Sequence, residues 1–270
     1  MKLRLISTGV VLSTLLSISC NDDEVQINPT DGLTKIAEGR TTHTNTKVEI
    51  WAEEGLFVGY NVLYAKLYDP TTGESINESM VQFTPLMKMV SGMGHRAPVD
   101  NPLTELAINT LFQGGVNFIM PSGPDIGSWT LKVTVRNKGT DDDDFVDLDV
   151  NVSTPEKTRM QSFTTDDNMK YFVSYHFAKK PKVGINDFEV MVHTKQSMES
   201  FPGATDFSIA MEPEMPSMGH GSPNNVPPSH VGNGHYAGKV NFTMTGDWRI
   251  HLTLSKGEMT KGLYFDLDIK

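Results

Sequence analysis

One register relates the two halves of this chain. Val58-Gly59-Tyr60-Asn61 returns 125 positions later as Val183-Gly184-Ile185-Asn186, and Met93-Gly94-His95 returns at the same offset as Met218-Gly219-His220. Pro98 and Pro102 match Pro223 and Pro227, and Val116-Asn117-Phe118-Ile119-Met120 matches Val240-Asn241-Phe242-Thr243-Met244 at an offset of 124. After a shorter loop the offset settles at 119. Trp129 then meets Trp248, and Phe145-Val146-Asp147-Leu148-Asp149-Val150 meets Tyr264-Phe265-Asp266-Leu267-Asp268-Ile269. A register held across separate blocks is the signature of a duplicated structural unit.

Each copy is built from short runs of period two, such as Trp129-Thr-Leu131-Lys-Val133-Thr-Val135 and Trp248-Arg-Ile250-His-Leu252-Thr-Leu254. Alternation puts apolar side chains on one face, and Gly, Pro, Asn and Asp clusters punctuate the runs. No segment carries a long helical period. The expected fold is all-β: two tandem immunoglobulin-like antiparallel β-sandwich domains. Strands of the first copy are expected near 46–51, 58–68, 80–84, 104–112, 115–120, 129–136 and 144–152, with the second copy following by offset. The organisation expected is a signal peptide over 1–19, an acidic linker over 20–34, a first repeat over 35–153 and a second over 154–270. Thr154-Pro155-Glu156-Lys157 marks a boundary near 152–168.

Lys2 and Arg4 precede an apolar run, Leu5 to Ile18, that is too short to be a permanent span and has the layout of a secretory signal. The run ends Leu16-Ser17-Ile18-Ser19-Cys20, which resembles the lipobox of bacterial lipoproteins. Cys20 is the only cysteine, so no intrachain disulfide can form. Its expected role is lipidation, with several acyl chains giving a stable membrane anchor. Asn21-Asp22-Asp23-Glu24 reads either as a solvated tether or as a resemblance to the surface-export signal of Bacteroidetes lipoproteins. The expected location is the bacterial cell envelope, at the outer membrane or cell surface. Loss of Lys2 and Arg4 shifts the formal charge from −10 to −12, which disfavours nucleic acid as a partner.

Fifteen methionines are present, and several gather around the Met-Gly-His elements. The second copy reads Met211-Glu-Pro-Glu-Met215-Pro-Ser-Met218-Gly-His220, with His230 and His235 expected to follow within the same long loop, and the first reads Met87-Lys-Met89-Val-Ser-Gly-Met93-Gly-His95. A thioether is soft and neutral and suits Cu(I), while imidazole serves both oxidation states of copper. Gly219 lets the backbone turn so that Met218 and His220 can face one point. Methionine also fills gaps in cores, and Met120 and Met244, alternating with phenylalanines, suit a buried strand face equally well. The acidic run Asp141 to Asp144 suggests calcium or a solvated turn, and the second copy does not keep it. Asp147/Asp149 and Asp266/Asp268 read as outward strand positions.

Pro213-Glu214-Met215-Pro216-Ser217-Met218-Gly219-His220-Gly221, followed by Gly234-His235-Tyr236-Ala237-Gly238-Lys239-Val240-x-Phe242-x-Met244-x-Gly246-x-Trp248-x-Ile250, resembles the YtkA-like and FixH-like domains over roughly residues 170–270. The resemblance implies a small immunoglobulin-like sandwich of secreted or membrane-attached proteins, with a copper site at Met215, Met218 and His220. His235 or Met244 stand as further metal ligands. The first copy offers Met93 and His95 as the matching metal ligands and keeps Pro98, Phe118, Met120 and Trp129, but it lacks the Gly-x-Tyr pair and has Val90 where Met215 would fall, so that Met87 or Met89 would have to substitute. No nucleophile elbow, zinc helix or phosphate loop is present, so no enzyme is expected. The expectation is an envelope lipoprotein that binds copper for handling or for delivery to a copper-receiving envelope protein. The rival is a non-catalytic surface scaffold or adhesion protein of two modules.

Overall fold

The computed structural model describes residues 28–139 and 142–270, so the signal peptide and the Cys20 lipobox lie outside the described residues. Among the described residues the chain is all-β. The first half contributes β1 (Thr34–Arg40), β2 (Lys47–Ala52), β3 (Gly59–Tyr68), β4 (Ser75–Ile76), β5 (Ser79–Met89), β6 (Gly94–His95), β7 (Val99–Asp100), β8 (Phe112–Phe118), β9 (Gly127–Asn137) and β10 (Asp144–Val150). The second contributes β11 (Met160–Thr164), β12 (Lys170–His176), β13 (Gly184–Lys195), β14 (Ser208–Met215), β15 (His220–Gly221), β16 (Val226–Gly232), β17 (His235–Phe242), β18 (Gly246–Lys256) and β19 (Met259–Ile269).

The ladders are antiparallel throughout, and the two halves share one plan. One sheet of the first module runs β1-β2-β3-β8-β7 with β4 beside β3, and the other runs β10-β9-β5-β6. The second module repeats this as β11-β12-β13-β17-β16 and β15-β14-β18-β19. Each sandwich has its own core. Val48, Leu63, Phe83, Phe118 and Leu131 are buried around Trp129 in the first, and Val190, Met211, Phe242, Ile250 and Phe265 around Trp248 in the second. The alternating runs over 129–135 and 248–254 are the central strands β9 and β18, with every apolar position inward.

The repeated Val-Gly-x-Asn block has one structural job in both copies. Asn61 Oδ1 accepts from the Phe57 amide at 3.0 Å, while Nδ2 donates to the Phe57 and Gly59 carbonyls at 2.8 Å. Asn186 does the same with the Lys182 amide and the Lys182 and Gly184 carbonyls. The side chain stands in for missing ladder bonds where the chain turns into β3 or β13. Gly59 and Gly184 supply the turn at φ 133° and 104°, which a side chain would strain.

Four expectations are corrected. Residues 104–111 form no strand, and only Phe112 of the expected range belongs to one, as the first residue of β8: Leu106 and Ile108 make isolated bridges and stay exposed, and Asn109 and Thr110 take positive φ. β1, absent from the expected strands, pairs with β2. The stretch around His230 and His235 is the β16–β17 hairpin rather than a long loop. In the acidic run, Asp144 is buried rather than solvated. It accepts from the Thr44 amide and hydroxyl at 2.7 Å and from the Thr42 hydroxyl at 2.9 Å. Burial alone would raise its pKa, but these donors hold the carboxyl far below the usual range. Asp147 and Asp149 do point outward, as do Asp266 and Asp268, which alternate with the buried Phe265, Leu267 and Ile269.

Candidate functional site

Both Met-Gly-His elements are hairpins at the edge of the sheet that carries the tryptophan. In the second module Met215 on β14 is the direct cross-strand partner of His220 on β15. Opposed residues of an antiparallel pair project to the same face with Cβ atoms about 4.5–5.5 Å apart. On its other side, Met215 follows Glu214, whose partner Arg249 follows Trp248. His220, Met215 and Trp248 therefore form one row across three strands. The His220 and Trp248 rings lie 6.0 Å apart, edge to face.

The hairpin tip is closed by the Met218 and Gly219 amides, which donate to the Met215 carbonyl at 3.1 and 2.9 Å. Gly219 makes the turn at φ 64°, the role expected of it. Met215 is buried, its terminal methyl against Gly246, while Met218 at the tip is 61% exposed. Met244 is exposed at its edge rather than buried, and its carbonyl accepts the Trp248 Nε1 hydrogen bond at 3.0 Å. Trp129 makes the same bond to the Met120 carbonyl, and Met120 is half-buried.

The His220 ring is fixed by a 2.9 Å bond between Nδ1 and the Gly221 carbonyl. A carbonyl only accepts, so Nδ1 carries the proton and the Nε2 lone pair is free. Such a backbone acceptor behind the ring is the outer-shell arrangement that orients metal-binding histidines. Met215, Met218 and His220 thus share one hairpin, with Met244 beside the same tryptophan. Among the described residues no three His, Cys, Asp or Glu side chains converge as a metal site. The soft donors that this one hairpin carries are two thioethers and one imidazole, a set that favours soft metals over hard ones.

His235 does not join this group. It opens β17 opposite Met191, whereas Phe242, two residues before Met244, closes the same strand opposite Gly184. The eight-residue strand separates them by more than 20 Å at about 3.3 Å per residue. His235 belongs instead to the contact between the modules. Its Nε2 lies 2.9 Å from Asp100 of the first module and its Nδ1 3.0 Å from Glu189 of the second. With both nitrogens facing carboxylates, both carry protons and the ring is a cation. Burial works against that charge, but the bonds to Asp100 and Glu189 outweigh it and push the pKa up to about 9. Asn233 also donates to Asp100 at 2.8 Å, and the Tyr60 ring packs edge-on against His235. Asp100 and Glu189 were not singled out in the sequence, and Tyr60 stood out only as part of the repeated block. Asp100 follows Val99 on a two-residue strand, and nothing local marks it.

In the first module His95 pairs with Met87 across β6 and β5, and Met87 pairs with Trp129 across β5 and β9. The row His95–Met87–Trp129 is the counterpart of His220–Met215–Trp248. Met87 therefore takes the place of Met215, not Val90. The first hairpin has three more residues between methionine and histidine, and a constant sequence offset passes over them. Met93 lies at the tip, 55% exposed, and its carbonyl accepts from the Met89 amide at 2.9 Å. The turn is made at Gly92, with φ 85°.

No curated protein matches the chain. Among the solved structures that match are the adhesin InvE of Yersinia pseudotuberculosis, at 12% identity and a TM-score of 0.25 over 89% of this chain and 59% of that one, and a structure described as pT26-6p, at 9% identity and 0.27 over 88% and 65%. The chain thus spans less than two thirds of either. The YtkA-like family model matches residues 167–253, the part of the second module that carries Met215, Met218 and His220.

Proposed function

We propose that this protein binds copper as Cu(I) through the Met215–Met218–His220 hairpin and handles or delivers it in the bacterial envelope. The observation that carries the reading is His220: its Nδ1 is held by the Gly221 carbonyl, which leaves the Nε2 lone pair for a ligand, and Met215 is its direct cross-strand partner. Three soft donors on one hairpin suit Cu(I), whose low-coordinate sites tolerate neutral sulfur. Copper is cargo here. With Met218 exposed at the tip, a receiving protein's ligand can enter before His220 leaves, so the ion passes without being released to water. The chain acts by binding rather than catalysis, and the rigid sandwich holds a loop-borne site.

In the same reading Cys20 carries the lipid anchor. Cys20→Ser should leave the chain unprocessed or soluble, and normal processing with full recovery in the membrane pellet would remove the anchor. For copper, the full chain with Cys20→Ser lacks its one thiol and can be titrated in detergent against a colorimetric Cu(I) chelator. Met218→Leu keeps the bulk and removes sulfur, and His220→Ala removes the imidazole. Both should keep the fold and weaken Cu(I) binding. Unchanged binding in both variants would leave the scaffold reading in its place.

A further inference from the structure

The first module, which the family match does not reach, has an imidazole nitrogen with no partner. His95 is 6% exposed, and its Nδ1 lies 2.7 Å from the Arg96 carbonyl. As at His220, the carbonyl only accepts, so Nδ1 bears the proton and Nε2 bears a lone pair. That Nε2 is buried and makes no hydrogen bond. A buried acceptor left unsatisfied is destabilising, and it is an acceptor for a cation as much as for a proton donor.

The surroundings favour a soft cation. Met87, the cross-strand partner of His95, is 2% exposed and lies on the same face. Met89 is two residues on along β5, so it shares the face of Met87, and Met93 stands opposite Met89 at the start of the return strand. The edge-on Trp129 ring, 5.3 Å from His95, closes the other side. An open depression of about 810 Å³, lined by Met89, Val90, Gly92 and Trp129 among others, adjoins the hairpin. The second module supports the arrangement from behind: the Arg96 amide donates to the Met198 carbonyl at 2.8 Å. The peptide whose carbonyl holds His95 is thus itself held by the neighbouring module.

We propose that the first module carries a second Cu(I) site, formed by His95 Nε2 and the Met87 thioether with Met93 at its rim. The proposal rests on the copper reading of the second module and adds a site of different character. Its nitrogen and one of its sulfurs are buried, where the second module's histidine is half-open. The first site therefore retains its ion while the second exchanges, and the chain holds two ions with unequal release rates.

The test is Cu(I) stoichiometry by chelator competition on the full chain with Cys20→Ser, with thermal unfolding as the check on folding. The parent should bind two equivalents, one released more slowly. Met87→Leu with Met93→Leu keeps the packing and should remove the slow equivalent alone. His220→Ala should remove the fast one alone. Zn(II) should not fill the first site. If the parent binds one equivalent that His220→Ala abolishes and the Met87/Met93 variant leaves intact, the first-module site is overturned while the second stands. If the parent binds none, the copper reading itself fails and this site falls with it. Should the Met87/Met93 variant unfold, Met93→Leu alone, at an exposed position, and the slow equivalent held by His220→Ala decide: faster release from Met93→Leu and sulfur scatterers around the copper of His220→Ala support the site, while unchanged release and a copper absorption spectrum without sulfur scatterers overturn it.

Discussion

The two hairpins use the same row of side chains at different depths. His95 is 6% exposed, and its ring approaches Trp129 at 5.3 Å; His220 is half-buried, 6.0 Å from Trp248. The row itself, histidine–methionine–tryptophan across three strands, follows from strand register and is identical. What differs is the tip and its neighbour. The first hairpin is three residues longer, and Arg96, beside its histidine, is bonded to the second module. A site of fixed composition is thus tuned in access by what lies outside the row.

The sharpest way to break this comparison is to remove its common element. Trp129 and Trp248 are essentially unexposed, and truncating a buried tryptophan to alanine costs about 3–5 kcal/mol. Trp129→Ala and Trp248→Ala should each lower one calorimetric transition by that amount and leave the other nearly unmoved, because the cores are separate. Equal shifts of a single transition would mean that the modules unfold as one unit.

Next in size is the contact between the modules. Asp100→Asn leaves His235 with a single carboxylate and should destabilise the contact by about 2 kcal/mol, less than a fully buried pair because both groups keep some exposure. The pH dependence has a definite sign. His235 has its pKa raised from 6.5 to about 9, so its contribution is full below pH 6.5 and is lost as pH rises through 9. His193 works in the opposite sense. Burial holds it down to about 4, so the unfolded chain takes up a proton that the folded one refuses, and stability falls between pH 6.5 and 4. Thermal unfolding from pH 4 to 10 should therefore show a maximum near neutrality, with the alkaline slope flattened by Asp100→Asn. An alkaline slope that the variant leaves intact would take His235 out of that role.

Smaller effects sharpen the parallel between the copies. Asn61 is 4% exposed and Asn186 half-buried, yet both make the same three bonds. Asn61→Ala should cost about 2 kcal/mol and Asn186→Ala about 1, in proportion to the desolvation of the groups left unpaired. In denaturant titrations the reverse order would separate burial from the cost. Met93→Leu and Met218→Leu, at exposed tips, should change stability by less than about 0.5 kcal/mol, so any larger effect on Cu(I) retention belongs to the sulfur.

The strands that alternate cleanly were readable because one face of each is buried: β9, β10, β18 and β19 follow the period-two pattern almost residue for residue. β1 was not, because its side chains are exposed or half-buried on both faces and leave no alternation to find. The stretch 104–112 misled for the opposite reason. Leu106 and Ile108 are spaced like a strand, but both are exposed and Asn109-Thr110 turns the chain before Leu111. The hairpin donors were legible because they are near in sequence. Asp100 and Glu189, which claim His235, were not.

The sequence by itself determined the duplication, the sandwich class and the clustering of soft donors around each Met-Gly-His, since all three are written in local spacing and in a register that repeats. Only the tertiary structure decided that Met87 rather than Val90 stands beside His95, that His235 serves the junction, and that one histidine is buried with a free nitrogen while its twin is half-open. Those outcomes depend on cross-strand register and on which surface the neighbouring module covers. Both are set by contacts between residues far apart in the chain, which no local pattern encodes.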